Sequence, residues 1–257
     1  MAKHTVLVTG ASSGIGMELA RLFAKNGHDL VLLARGRQAL ELLAQELQTK
    51  YKASAQVVEA DLADIQGPEK VAHELAARNI HIDVLVNNAG FGLLGPHAEM
   101  DKQRQLDMIQ VNITSLVNLT RLLLPAMLGR NTGGILNVAS TAAFQAGPNM
   151  AVYYATKAFV LSYTEALHEE LSATKLHVSC LCPGPTHTGF LAAAGVGEVA
   201  LFKFGAQTSE DVARVGYAAF QKNQAIAISG LKNAILAFVA KLSPRSLTRK
   251  IAQALNQ

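Results

Sequence analysis

Only two cysteines occur in 257 residues, Cys180 and Cys182. Residues two apart in a strand point to one face, a poor arrangement for a mutual disulfide, so the pair reads as two buried thiols. The eight histidines are scattered, and no Cys/His spacing resembles a ligand set, so no metal is expected. The chain also lacks a run of about 20 apolar residues, the length of a membrane span. Half of its residues are nevertheless hydrophobic, which spreads the apolarity over short buried segments. The opening MAKHTVLVTG has neither the apolar core nor the cleavage-like site of a signal peptide, and a cytoplasmic location is expected. Formal charge is +4, yet the basic residues do not form blocks interleaved with aromatics. Nucleic acid is therefore not an expected partner.

What is present is an alternation of short apolar runs with amphipathic stretches. The length suits one large α/β domain. Residues 4–9 read as a strand that enters the turn Thr9, Gly10, Ala11, Ser12, Ser13, Gly14, Ile15, Gly16, and a helix follows through Lys25. Strand, glycine turn and helix form a dinucleotide-binding arrangement: glycines let backbone approach a pyrophosphate, and the helix N-terminus meets its charge. A second strand, residues 29–34, ends at Arg35-Gly36-Arg37, and no acid occurs from Leu30 through Leu40. An acid there would bond a ribose 2′-hydroxyl, whereas arginine pairs a 2′-phosphate, so NADP(H) is expected over NAD(H). Arg35 is the main expected contact and Arg37 the second.

Further strands are predicted at 55–59, 83–87, 134–139, 176–182 and 225–229, with helices near 39–49, 68–78, 101–130, 151–173 and from Thr208, where Asp211 completes a capping box. Such βαβ repetition implies a Rossmann-type doubly wound parallel sheet of about seven strands in a single domain. Asp61-Leu62 and Asn87-Asn88-Ala89-Gly90 follow strands and fall at the carboxyl edge, where ligands bind in open α/β sheets. Asp61 either accepts from an adenine amine or caps a turn. Asn112, amid apolar residues of the long helix, either bonds the preceding turn or holds water near a site. Residues 189–207, rich in Ala and Gly, suit an apolar lid.

Ser140 ends the fifth strand, Tyr153 lies thirteen residues on, and Lys157 follows one helical turn later on the same face. A nearby ammonium favours a phenolate and so acidifies the tyrosine, while a serine opposite can bond the oxygen that the phenol protonates. Together they make a site for carbonyl reduction or its reverse. Tyr-x-x-x-Lys alone also fits a lysine snorkelling beside a ring.

In combination these residues resemble the classical short-chain dehydrogenase/reductase family, to about Gly230. Its Thr-Gly-x-x-x-Gly-x-Gly turn stands at Thr9 to Gly16, its Asn-Asn-Ala-Gly at Asn87 to Gly90, and its Tyr-x-x-x-Lys at Tyr153 to Lys157. The resemblance implies a tetrad of Asn112, Ser140, Tyr153 and Lys157, with Lys157 also on the nicotinamide ribose and Asn112 holding a proton-relaying water. Pro183, Gly184, Thr186 and Thr188 cover the family's Pro-Gly-x-x-x-Thr, implying contacts to the nicotinamide, with Thr186 standing where an apolar residue is usual. A homodimer or homotetramer is implied too. Phe91, Leu93, Leu94 and Phe144 suggest an apolar substrate carbonyl or alcohol: a 3-oxoacyl thioester, a steroid-like compound or a general ketone or aldehyde. The rival reading is a non-catalytic NADP-binding sensor or scaffold.

Residues 1–230 thus form the expected catalytic domain and residues 231–257 an extension outside the family pattern. The extension carries Lys232, Lys241, Arg245, Arg249 and Lys250 and no acid. Leu231, Ile235, Phe238, Val239 and Leu242 repeat at helical spacing, Pro244 interrupts, and Leu247, Ile251, Ala254 and Leu255 resume. Two basic amphipathic helices are predicted. Packing on the same domain or a neighbouring subunit is preferred, with peripheral docking on anionic membrane as the alternative.

Overall fold

Alternate residues of the short apolar strands point to opposite faces of the sheet, and each face has its own core. In β1 (Thr5–Thr9), Val6 and Val8 pack on one side and Leu7 on the other. In β2 (Asp29–Ala34), Leu30 and Leu32 oppose Val31 and Leu33 in the same way. Strands buried on both faces require helices on both, which is why they read as continuous hydrophobic runs. The computed structural model describes residues 3–187 and 205–255.

The remaining sheet strands are β3 (Ala55–Glu59), β4 (Val84–Asn87), β5 (Gly134–Val138), β6 (His177–Cys182) and, after a small pair β7 (Thr186–His187) and β8 (Gln207–Thr208), β9 (Ile226–Ile228). All seven run parallel in the order β3-β2-β1-β4-β5-β6-β9. The expected Rossmann-type sheet is therefore present. One face is covered by α1 (Gly14–Lys25), α2 (Arg37–Tyr51) and, late in the chain, α7 (Ser209–Gln221), through residues such as Phe23, Leu43 and Val212. The other is covered by α3 (Gly67–Ala77), α5 (Ser115–Arg130) and α6 (Ala151–Glu170), through Leu75, Leu119 and Leu167. The winding direction reverses between β1 and β4, so the loops leaving their carboxyl ends diverge and open a crevice there.

Helix and strand ends differ from the sequence expectation by a residue or two in most elements. The larger difference concerns the single helix expected over 101–130. It divides into α4 (Lys102–Ile109), a π-helical segment Gln110–Thr114, and α5. The wider turn is local, and it falls at Asn112, whose fully buried amide is held by groups outside the helix. The whole of Lys102–Arg130 is long and apolar enough to cross a membrane by length and composition, and one side of it, through Met108, Leu119 and Met127, is buried in the fold. The β7–β8 pair was not anticipated. The Thr208 cap was, with its hydroxyl accepting from Asp211 N at 3.1 Å. The residues expected to form a lid lie, through 204, outside the described residues.

The last two helices are α8 (Leu231–Leu242) and α9 (Arg245–Leu255), separated at Ser243-Pro244 as the proline predicts. Small residues of α8 face the domain: Ala237 is buried, and Asn233 Nδ2 donates to Ser229 O at 2.7 Å. Its large apolar residues stay exposed, so the stripe expected to pack on the domain points away from it.

Candidate active site

The crevice is a cavity of about 750 Å³ lying along the carboxyl ends of β1, β2, β4 and β5. At its floor the glycine turn meets the loop after β4. Thr9 Oγ1 accepts from Asn88 N and Ala89 N, both at 2.9 Å, and donates to Val86 O. Asn88 Nδ2 returns a bond to Thr9 O at 2.9 Å. The two loops are thereby clamped so closely that a Cβ on Gly10 would lie 2.9 Å from Asn88 Nδ2, and one on Gly16 would collide with Asn88 Nδ2 and Gly10 O. Gly10 and Gly14 also have φ of 65° and 55°, which favours glycine. Ser13 caps α1 without a side-chain hydrogen bond, and Ser12, Ser13, Gly14 and Ile15 line the cavity. A helix N-terminus with no side-chain acceptor, reached over bare glycine backbone, fits a pyrophosphate.

The predicted residues separate into those that reach the cavity and those that do not. Gly10, Arg35, Asp61, Leu62, Asn88, Ala89, Gly90, Ser140, Tyr153, Lys157, Pro183, Gly184 and Thr186 line it with the four turn residues just named. Arg35 is exposed at the end of β2 and makes no ion pair among the described residues. Asp61 keeps both readings, since Oδ1 accepts from Ala63 N at 2.9 Å within its turn while the residue lines the cavity.

Four expectations need correction. Arg37 does not reach the cavity, because its guanidinium pairs with Glu41 one turn along α2 at 2.7 Å. Asn87 turns into the core: Nδ2 donates to Asn137 Oδ1 at 2.9 Å and Thr120 Oγ1 at 3.1 Å, and Asn137 continues to Thr164. That network pays the desolvation of buried amides and ties β4, β5, α5 and α6 together. Gly16 is a spacer between loops. Of the expected apolar residues Phe91 and Leu94 reach the lining, while Leu93 and Phe144 are absent from it and Val111 and Met150 take part. Thr188 lies outside the described residues.

Asn112 is 1% exposed and does not line the cavity. Its Oδ1 accepts from Phe91 N at 3.1 Å, and Nδ2 donates to Phe91 O and Thr156 Oγ1, each at 3.0 Å. It therefore fixes the loop that carries Gly90, where a Cβ would lie 3.0 Å from Asn112 Oδ1 and 3.4 Å from Lys157 Nζ. The Asn112–Thr156 bond was invisible in the sequence, because nothing in the spacing of residues 44 apart announces it.

Ser140 follows β5 and caps a single 3₁₀ turn, Thr141–Phe144, its Oγ accepting from Ala142 N at 3.1 Å. Tyr153 and Lys157 sit on the first two turns of α6, with Nζ 5.9 Å from the phenol ring centre. Nζ itself donates to Val138 O at 2.9 Å. In this geometry burial opposes the expected acidification of Tyr153 by Lys157. Burial pushes the phenol up to about 12, with the Ser140 hydrogen bond acting the other way. Burial also lowers Lys157 to about 8, against a smaller opposite effect of the Cys180 and Cys182 sulfurs beneath it. Those two thiols are buried and free, 3.9 Å apart. Desolvation is the largest influence on both groups. Tyr153 is consequently a protonated phenol at neutral pH, beside a hydroxyl that can share its hydrogen-bond partner.

Arg104 and Asp107 of α4 also line the cavity, and the Arg104 guanidinium lies 4.9 Å from the Phe91 ring centre. Sequence reasoning missed both, since charged residues near a helix start ordinarily read as a solvated face.

Comparison with known proteins bears on the family and the fold. The short chain dehydrogenase family pattern matches residues 4–198. An NADP-dependent 3-hydroxy acid dehydrogenase from Schizosaccharomyces pombe is 35% identical over 188 residues, 72% of this chain and 73% of that protein. Among solved structures, a short-chain dehydrogenase from Sphingobium yanoikuyae in complex with NADPH superposes with a TM-score of 0.84 at 31% identity, covering 95% of this chain and 94% of that one. A bulky-bulky ketone specific alcohol dehydrogenase from Comamonas testosteroni gives 0.79 at 26% identity, covering 94% and 93%.

Proposed function

The chain belongs to the short-chain dehydrogenase family of oxidoreductases, and from that premise we propose that it reduces the carbonyl of an apolar substrate with NADPH, or runs the reverse oxidation. The observation that carries this reading is the convergence of Ser140, Tyr153 and Lys157 on one wall of the same cavity whose far end is formed by the glycine turn and Arg35. NADPH, when bound, supplies the hydride. The turn residues Ser12 to Ile15 would hold its pyrophosphate, Arg35 its 2′-phosphate, and Lys157 its nicotinamide ribose.

The protein's own part is protonation and orientation. A phenol held protonated at neutral pH suits the reductive direction, in which Tyr153 Oη gives its proton to the substrate oxygen as negative charge develops there. Ser140 Oγ bonds the same oxygen and fixes its place. Asn112 holds the Phe91 loop over Lys157, and its amide protons are taken by Phe91 and Thr156, so a relay water there would rest on an oxygen of Asn112.

Phe91, Leu94 and Met150 favour an apolar carbonyl substrate, consistent with 3-oxoacyl thioesters, steroid-like compounds or general ketones. Leu106, Ile109, Leu122 and Leu128 on α4 and α5, with Phe159 on α6, leave an exposed apolar surface that supports a homodimer or homotetramer. We treat 1–230 as the catalytic unit.

The test is cofactor fluorescence with NADPH and NADH titrated separately, followed by consumption on a panel of ketones, aldehydes and 3-oxoacyl thioesters. Consumption of NADPH that vanishes in Tyr153→Phe, with NADPH affinity retained, is expected. Turnover surviving in that variant removes Tyr153 from the chemistry, and tight binding without turnover on any carbonyl leaves a sensor.

A further inference from the structure

Among the described residues, the outer face of α8 and α9 carries the most exposed group of large apolar side chains. Leu231, Ile235, Leu236, Phe238, Val239 and Leu242 on α8, with Leu247 and Ile251 on α9, are each between 50% and 79% exposed. By contrast the apolar residues on α4, α5 and α6 are exposed by less than half. The orientation is built into α8, whose inward positions are small or polar. Ala237 is buried, and Asn233 is fixed by Ser229 O and Gln207 Oε1.

Charge decides what covers this face. The segment contributes Lys232, Lys241, Arg245, Arg249 and Lys250 and not one acid. A two-fold contact between copies pairs the same patch with itself, and would bring two such sets of cations together with no carboxylate of the segment between them. An anionic lipid surface offers both complements at once: headgroup phosphates for the cations and acyl chains for the leucines and phenylalanine. At twelve residues α8 is about 18 Å long, against a hydrocarbon core of about 30 Å, so it lies in the interface and does not span it.

We propose that the outer face of α8 and α9 docks this protein on anionic membranes. The inner side of α8, opposite the docked face, borders the cavity. Asn233 packs against Gly184, which lines the cavity, and Lys241 Nζ lies 5.1 Å from the ring centre of Phe144, at the end of the turn that begins with the lining residue Thr141. A bilayer held on the outer face of α8 lies one helix away from the cavity, which suits an apolar carbonyl compound drawn from the membrane; this last step rests on the reductase reading.

The experiment is flotation of the full-length protein with vesicles of phosphatidylcholine alone and of phosphatidylcholine with phosphatidylglycerol. Binding to the anionic vesicles only is expected. Replacing Arg245, Arg249 and Lys250 by glutamine should weaken it about fivefold per cation removed. The Phe238→Ser/Leu242→Ser variant, altered only at exposed positions, should keep its circular dichroism and Tm but lose binding. Absence of binding, or equal binding to both vesicles, overturns the proposal. So does dissociation of a lipid-free oligomer by Phe238→Ser/Leu242→Ser in sedimentation velocity, which would assign the face to a second copy. Turnover of a water-soluble ketone without vesicles reports on the reductase reading separately.

Discussion

Replacing Lys157 by methionine should stabilise the protein at neutral pH while abolishing its turnover. The side chain is 6% exposed, and burial lowers its pKa from 10.5 to about 8. At about 1.4 kcal/mol per pKa unit, the folded site disfavours the ammonium by roughly 3 kcal/mol relative to water. Methionine has a similar volume, so no sizeable cavity opens. The Val138 carbonyl loses the donor it has at 2.9 Å, which costs about 1–2 kcal/mol. The balance is a gain of about 1–2 kcal/mol near pH 7. Its pH dependence follows from the sign of the shift. Below the folded value both states hold the proton and the penalty is complete. From about pH 8 to about pH 10.5 the unfolded chain binds more protons, so the wild-type protein gains stability and the gap closes. Urea unfolding of both proteins, followed by far-UV circular dichroism near neutral pH and again at about pH 9.5, measures this directly. Other titrating groups are common to both and cancel. A variant less stable than wild type near pH 7, or a difference that does not change with pH, refutes the assignment of Lys157 as a costly buried cation kept for chemistry.

Two further substitutions probe the cofactor end of the cavity. Arg35→Ala should weaken NADPH binding by about 10- to 100-fold, the worth of a charge-assisted contact, and leave NADH nearly unchanged in a fluorescence titration. A parallel loss for both cofactors would deny Arg35 a role in choosing between them. Gly16→Ala forces a methyl group into Asn88 Nδ2 and Gly10 O, and should cost about 1–3 kcal/mol in thermal unfolding together with a fall in NADPH affinity. Unchanged affinity would show that the clamp between the two loops is not needed to shape the turn.

Much of the fold was legible because its determinants are local. The segments at 29–34 and 55–59 coincide with β2 and β3 to the residue: β2 is a buried apolar run, and β3, at the sheet edge, is bounded by its alternation of exposed and inward residues. The break at Pro244 and the Thr208 cap were equally local, set by a missing N–H and by one hydroxyl. What could not be read was the direction of side chains whose partners lie far along the chain. Arg37 and Arg35 are two residues apart in the same loop, yet Glu41 takes one and the cavity receives the other. Asn87 and Asn88 are adjacent, but pleating sends Asn87 to Asn137 and leaves Asn88 for the glycine turn.

The sequence by itself therefore determined the order of strands and helices, the glycine turn, and the presence of a serine, a phenol and an amine in catalytic spacing, because periodicity, turn chemistry and one-turn neighbours need no tertiary information. Only the tertiary structure decided the electrostatic state of that trio. Spacing placed Lys157 beside Tyr153, but the depth of the crevice, set by how β5, β6 and α6 pack, makes desolvation the largest influence on both, raising the phenol and lowering the ammonium. The same packing decided the face of α8: small residues fit the domain, and the large ones were left outside.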